Sequence, residues 1–281
     1  MSLLWRNELR VVLAPEQLAL VRLEWGLGGR GPRCSVALKS VVDCPGGDGD
    51  VVPWDAALRA LDAQLAQLSG ARMSGRVILS NHFSRYTMVP WSEMLTDAAE
   101  EQAYARHCFH QQYGADVEQW ELRLSPERPQ LAQLASAVDT RLLDGLRGVF
   151  QRNGIALKSI QPHLMAAYNN CRHVLQDCSA WFALYEPGSL CLALLQQGRW
   201  TSVRSMRIGN DWRDTLSLQL ERAALLAEAQ EESTTVFLWA PELEEDALPE
   251  SGHWQFRYLQ PLLRPDLADA YEGRFASALS G

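Results

Sequence analysis

The sequence predicts a duplicated, two-lobed α/β fold with mixed sheets and helices on their faces. Three observations carry this. The stretches Arg10–Leu23 (RVVLAPEQLALVRL) and Trp181–Leu194 (WFALYEPGSLCLAL) read as one repeated unit: a β-rich apolar run, a tight Pro-containing turn and a second alternating run. Each unit is followed by a third strand, a helix and a further strand, and that succession favours an α/β architecture. The chain has 281 residues, 47% of them hydrophobic, enough to bury two cores. A supersecondary unit that recurs once per half points to duplication, and duplicated α/β folds commonly hold a ligand between their halves.

Taken in order, the first hairpin is followed by a Gly/Pro turn at Gly26–Pro32, a third strand at Arg33–Val42 and a loop at Pro45–Asp50. Ala57, Leu58, Leu61, Leu65 and Leu68 fall at helical spacing and predict a helix over about 54–68. Arg76–Ser80 reads as a strand, and Ser84–Pro90 as another that Pro90 ends. Thr96 is a candidate N-cap for a helix running to about Gln112 and stopped by Gly114. Strands at 117–125 and 130–138 flank the turn Pro126-Glu127-Arg128-Pro129. A helix over 140–152, closed by Asn153-Gly154, leads to a strand at 156–161 and a connecting helix at 163–175.

The second half predicts strands at 180–185, 189–196 and 199–207, a helix over 211–229 and a strand at 234–239. An acidic loop (Glu242, Glu244, Glu245, Asp246), a short strand at 254–259 and a last helix at 265–279 complete it. The expected division is a first lobe at 1–162, with an inserted α/β subdomain at about 93–138. The second lobe is 163–281 and includes the connecting helix.

Composition narrows the function classes. A net charge of −8 and a pI near 5.3 argue against a general nucleic-acid binder. Of the 26 basic residues only Lys39 and Lys158 are lysines, and neither follows a Gly-rich loop, which excludes a Walker A phosphate cradle. The six cysteines are dispersed without a C-x-x-C pair, as expected in a reducing cytosol. The N-terminus lacks the charged-then-apolar pattern of a signal peptide, and no apolar run reaches the roughly eighteen residues that span a bilayer. These features predict a soluble, cytoplasmic protein without direct membrane insertion.

Three antiparallel strands followed by helix-crossover strands, present twice, resemble the actin/hexokinase/Hsp70 superfamily. The resemblance implies an actin-like duplicated ribonuclease H-like fold. Ile78–Trp91 (ILSNHFSRYTMVPW) resembles a segment of bacterial actin-like pilus and secretion scaffolds, in which a strand ends in a polar turn and continues to a Pro-containing one. Leu131–Asp139, a helix, Asn153–Pro162 and an Ala-rich helix are similar to the PilM family of type IV pilus assembly proteins. The likeness extends to the cytoplasmic domain of type II secretion L proteins.

In nucleotide-binding members of that superfamily, two hairpin turns hold the phosphates and Mg²⁺ through an Asp, a Gly and neighbouring hydroxyl or amine groups. Glycine allows close approach of backbone N–H groups to the phosphates. Here the first turn, Leu13-Ala-Pro-Glu-Gln17, has neither Asp nor Gly, and Pro15 removes an N–H donor. The second, Tyr185-Glu-Pro-Gly-Ser189, retains Glu186, Gly188 and Ser189, which are the positions that would hold a nucleotide if one binds. The Gly-Gly turn expected on the adenosine side is replaced by Trp239-Ala-Pro-Glu-Leu-Glu, whose acids would repel phosphates. No catalytic residue and no resident ATP or Mg²⁺ is therefore expected.

Other constellations have bland readings. His107 and His110 are one helical turn apart without a carboxylate at matching spacing, so a half-exposed pair is expected in preference to a metal clip. Cys171 and Cys178 are expected to be packed thiols, with His173 off their shared face. Asp97, Glu100 and Glu101 suit a helix start. Most of the ten tryptophans are expected to be structural; Trp5, Trp54 and Trp91, near the terminus or in turns, are candidate anchors for a partner.

The resemblance implies a non-catalytic scaffold in type IV pilus or type II secretion machinery. Its partner would be an inner-membrane protein, through a cytoplasmic peptide or domain, or a secretion motor ATPase. A groove or sheet edge would capture that partner by main-chain pairing or apolar anchoring, and recruit the chain to the inner membrane. A homodimer is compatible with the sequence. The alternative within the superfamily is a nucleotide-dependent phosphotransferase or ATPase, for which only Glu186 and Asp211 are placed as acids.

Overall fold

β1 (Asn7–Leu13) and β2 (Gln17–Gly28) form the antiparallel hairpin expected from the first repeat, and β3 (Gly31–Asp43) pairs antiparallel with β2. The computed structural model describes residues 7–28, 31–46, 52–68, 73–227, 233–243 and 253–280. Trp5, Glu244, Glu245, Asp246 and the greater part of the Pro45–Asp50 loop lie outside them.

The chain clusters into two compact units. One contains the described residues through Phe83, Arg141–Asn170, and those from Pro261 onward; the other contains Ser84–Thr140 and Cys171–Gln260. The lobes drawn from the sequence follow chain order, whereas these units interleave.

In the first unit, α1 (Asp55–Gln67) buries Ala57, Leu61 and Leu65 of the expected stripe, and Ala56 beside it, while Leu58 and Leu68 are half-buried. It leads to β4 (Met73–Leu79), which runs parallel to β1 with Leu13 opposite Leu79. The chain then enters the second unit as β5 (Ser84–Val89), α2 (Ala98–Tyr113), β6 (Trp120–Leu124) and β7 (Gln133–Asp139). It returns through α3 (Thr140–Arg152) to β8 (Ala156–Pro162), parallel to β4. The first sheet has the order β3-β2-β1-β4-β8. α3 carries Leu142, Leu143, Leu146, Val149 and Phe150 on its buried face.

β5, β7 and β6 make a separate three-stranded antiparallel sheet, with β7 in the middle. This sheet begins at Ser84, ahead of the block expected at about 93–138, because β5 pairs residue by residue with β7 from Ser84↔Val138 to Val89↔Gln133. The helix α2 is capped by Asp97, not Thr96: the Asp97 carboxylate accepts from the N–H groups of Ala99 (2.8 Å) and Glu100 (2.9 Å). Glu100 reaches back to the Thr96 N–H (2.7 Å) and hydroxyl (3.0 Å), so Thr96 is held by the cap without being it.

The expected connecting helix is split into α4 (His163–Asn170) and the single turn α5 (Arg172–Leu175). The second repeat then gives β9 (Ala180–Glu186), β10 (Ser189–Gln196) and β11 (Arg199–Arg207). α6 (Trp212–Leu226), β12 (Thr235–Trp239) and β13 (Gln255–Tyr258) follow. Their sheet has the order β11-β10-β9-β12-β13, antiparallel in the first three strands and parallel from β9 to β13. Order and strand senses repeat those of the first sheet, which establishes the duplication. β9 and β10 are buried along nearly their whole length, as central strands with near-continuous apolar runs should be.

The last helix expected at 265–279 is broken into 3₁₀ turns at Pro265–Ala270 and Gly273–Phe275 and the short α7 (Ala276–Ser280). Leu267, Phe275, Ala278 and Leu279 close a core with Ala19, Val21, Leu23 and Cys34 of β2 and β3. Among the described residues no helix is long and apolar enough to cross a membrane.

Candidate functional site

The two repeated turns differ in what their backbones leave accessible. In the first, the Ala14 N–H bonds to the Gln17 carbonyl (3.0 Å), closing the turn over Pro15 and Glu16. The carbonyls on either side are already used: Leu13 accepts from the Ser80 N–H (2.9 Å) and Glu16 from the Cys44 N–H (2.7 Å). Beyond β4, the polar turn Ser80-Asn81-His82 packs inward, with Ser80 Oγ 2.8 Å from His82 Nδ1. This turn has the strand-then-polar-turn form that Ile78–Trp91 suggested.

The second turn is a two-residue connection. Glu186 pairs with Ser189 across it, and Pro187 and Gly188 form its tip. Proline fixes φ near −65° at the first tip position, and Gly188 takes φ +76°, the left-handed value required at the second. The Gly188 carbonyl accepts from the Ile208 N–H (3.2 Å), which ties the tip to the end of β11. Glu186 and Ser189 are both buried. Burial, with the Glu186 carboxylate adding to it, pushes the Cys191 thiol up to about 12. The structure thus brings Glu186, Gly188 and Ser189 together in one tight hairpin whose tip, Pro187-Gly188, is exposed. Asp211 stands at the start of α6, exposed and without a side-chain capping bond. The turn after β12 is closed by Leu243 N–H to Ala240 O (2.9 Å), behind the buried Trp239.

A second candidate lies on a different surface. A groove of about 390 Å³ lies in the second unit between β5 and α2. Thr87, Met88 and Pro90 line one wall, and Tyr104, His107 and Gln111 are among the residues of the other. Gln111 Nε2 donates to His107 Nε2 (2.9 Å), which fixes two side chains of that wall. The chain leaving Pro90 presents Trp91, 41% exposed, and Met94, 82% exposed. Ala105 and Phe109 of α2 are buried and Tyr104, Cys108 and Tyr113 pack against the same core, so one face of this helix serves the core, while His107, His110, Gln111 and Gln112 are exposed.

Of the sequence candidates, Trp91 is the exposed aromatic, whereas Trp54 is half-buried, edge-on to Phe83 (6.3 Å) and beneath the Arg141 guanidinium. Trp181, Trp200, Trp212, Trp239 and Trp254 are buried in the second unit. His110 lies in the last turn of α2, exposed. Among the described residues no three His, Cys, Asp or Glu side chains gather at ligand spacing. Burial pushes the Cys171 thiol up to about 12 and the Cys178 thiol upward, as for packed thiols. Met94 and the groove wall of Thr87, Tyr104 and Gln111 were not anticipated. The signal available was α2 itself, whose sequence AAEEQAYARHCFHQQY has no Leu, Ile, Val or Met.

No family model matches the sequence, and no curated protein matches it. Solved structures do. The chain is similar to the cytoplasmic domain of EpsL, an inner membrane component of the type II secretion system of Vibrio cholerae, at 15% identity over 90% of each chain with a TM-score of 0.54. It is similar to a Bacteroides thetaiotaomicron protein of actin-like ATPase fold and unknown function, at 11% identity over 86% and 84% of the two chains, TM-score 0.56. A chain of the PilM–PilN type IV pilus biogenesis complex matches at 14% identity over 83% and 80%, TM-score 0.56. Identities this low speak to fold alone. With two sheets of the same strand order and these likenesses along most of its length, the chain has the actin-like fold.

Proposed function

We propose that this protein is a non-catalytic, cytoplasmic scaffold of a type IV pilus or type II secretion machine, recruited to the inner membrane by a partner. The partner is an inner-membrane protein, gripped by a cytoplasmic peptide or domain, or the machine's motor ATPase. The observation that carries this reading is the β5–α2 groove together with Trp91 and Met94, exposed in the chain that leaves the groove wall at Pro90. The likeness to the EpsL cytoplasmic domain and to the PilM–PilN complex supports the choice of machine.

The hairpin turns favour binding over catalysis. The first has no glycine, and Pro15 withholds a donor from any phosphate. The second keeps Glu186, Gly188 and Ser189, but Glu186 and Ser189 are buried. A bacterial two-hybrid screen of the chain against the cytoplasmic segments of pilus and secretion inner-membrane proteins, and against their motor ATPases, tests the proposal. One of these is expected to interact with the native chain and to lose most of that signal with Trp91→Ala. Interaction with none of them would overturn it.

A further inference from the structure

α6 buries one face and leaves another with a self-complementary pattern. Trp212, Leu216, Leu220 and Ala223 face the core of the second unit. On the outer face, Leu218 is 46% exposed and Leu225, one heptad later, is 81% exposed; Leu226 beside it is 61% exposed. Glu221 and Arg222, also exposed, lie midway between the two leucines. Neither has an ion-pair partner among the described residues.

An apolar residue repeated after a heptad, with charges between, is the pattern of a helix that packs against another helix. Helix spacing puts residues 218, 221, 222 and 225 on one face. The positions are symmetric about the midpoint between 221 and 222. If a second copy of α6 is laid antiparallel across a two-fold axis at that midpoint, Leu218 falls opposite the second copy's Leu225. Glu221 falls opposite its Arg222, and Arg222 opposite its Glu221. The same register thus satisfies the apolar and the charged positions twice over, as an isologous contact requires. A parallel pairing in register would instead set Glu221 against Glu221 and Arg222 against Arg222.

We infer that the outer face of α6 is a homodimerisation surface, on which a second copy of this chain packs antiparallel through Leu218, Leu225 and the Glu221–Arg222 cross-pairs. The contact of a single helix pair is at or below the small end of stable interfaces, about 1,200 Å² in total. The dimer is therefore weak and forms only as concentration rises. This contact is independent of the β5–α2 groove.

Sedimentation velocity of the full chain across a wide concentration range tests the inference, with far-UV circular dichroism confirming that each variant is folded. The native chain is expected to shift from monomer to dimer as concentration rises. Leu225→Glu, Glu221→Arg and Arg222→Glu are each expected to raise the dissociation constant tenfold or more. Mixing the Glu221→Arg and Arg222→Glu chains is expected to restore dimer, because each then meets opposite charge on the other. A native chain that remains monomeric, a dimer indifferent to Leu225→Glu, or a mixture of the two charge variants that stays monomeric would each overturn it.

Discussion

Arg10 Nη1 donates to the carbonyl oxygen of Ala278, 268 residues further along the chain, at 3.0 Å. The same nitrogen also reaches the Leu279 carbonyl (3.2 Å), while Nε pairs with Glu8 (2.7 Å). A buried guanidinium on the central strand β1 therefore satisfies C-terminal carbonyls that α7 leaves without helical partners. Removing it leaves those oxygens without their donor and takes one of two arginines from the Glu8 carboxylate, which keeps Arg76 (3.2 Å). Arg10→Met is expected to destabilise the first unit by about 2–4 kcal/mol in urea unfolding. A loss below about 0.5 kcal/mol would show that the C-terminus is held by its apolar contacts alone.

Gly198 and Gly114 both sit at positive φ, +72° and +77°, but in different surroundings. A Cβ on Gly198 would lie 1.5 Å from the Gln176 carbonyl oxygen, whereas one on Gly114 would meet nothing within 4 Å. Gly198→Ala is expected to cost about 3 kcal/mol or more, since backbone must move, and Gly114→Ala about 1 kcal/mol from its conformation alone. Thermal melts of the two variants compare these directly.

Acid sensitivity should register the tie between the C-terminal segment and β3. The Arg264 guanidinium, chiefly, and the Cys34 N–H (2.6 Å) hold the Asp266 carboxyl below the usual carboxylate range. A depressed folded value contributes stability that is present above the unfolded value of about 3.9. It is lost as pH falls through the folded value. Asp266→Asn is expected to flatten the stability profile below about pH 4.5 and to change it little in slope near neutrality. Parallel profiles for the native chain and the variant would contradict this.

Mg·ATP is expected to leave the melting temperature unchanged within about 1 °C up to millimolar concentration, because the first turn has no glycine and Pro15 withholds a donor, and Glu186 and Ser189 of the second are buried. A rise of several degrees that depends on nucleotide concentration, and that Gly188→Val abolishes, would restore the phosphotransferase alternative.

Most of the architecture was legible because it rests on local pattern. The alternating and continuous apolar runs of β1, β2, β9 and β10 and the buried stripe of α3 are periodic, and the Pro187-Gly188 tip is turn chemistry. What escaped depends on distant partners. The connecting helix stops at Asn170 because its side chain bonds to Leu262, accepting from its N–H (2.8 Å) and donating to its carbonyl (2.9 Å). The C-terminal helix breaks where Asp266 turns to the Cys34 N–H and Lys39 takes the Ala270 carbonyl (3.0 Å) and the Glu272 carboxylate. No periodicity records contacts 92 to 233 residues apart. The candidate groove was half legible: Trp91 stood out after Pro90, whereas the wall formed by α2 depends on how β5 pairs with β7.

Cell fractionation tests the scaffold claim most directly. In the native host, the chain is expected to sediment with inner-membrane vesicles, and Trp91→Ala/Met94→Glu, altered only at exposed residues of the segment after Pro90, to move to the soluble fraction with its fold intact. An unchanged distribution between the two, or a native chain found wholly in the soluble fraction while the pilus or secretion machine is assembled, would contradict it.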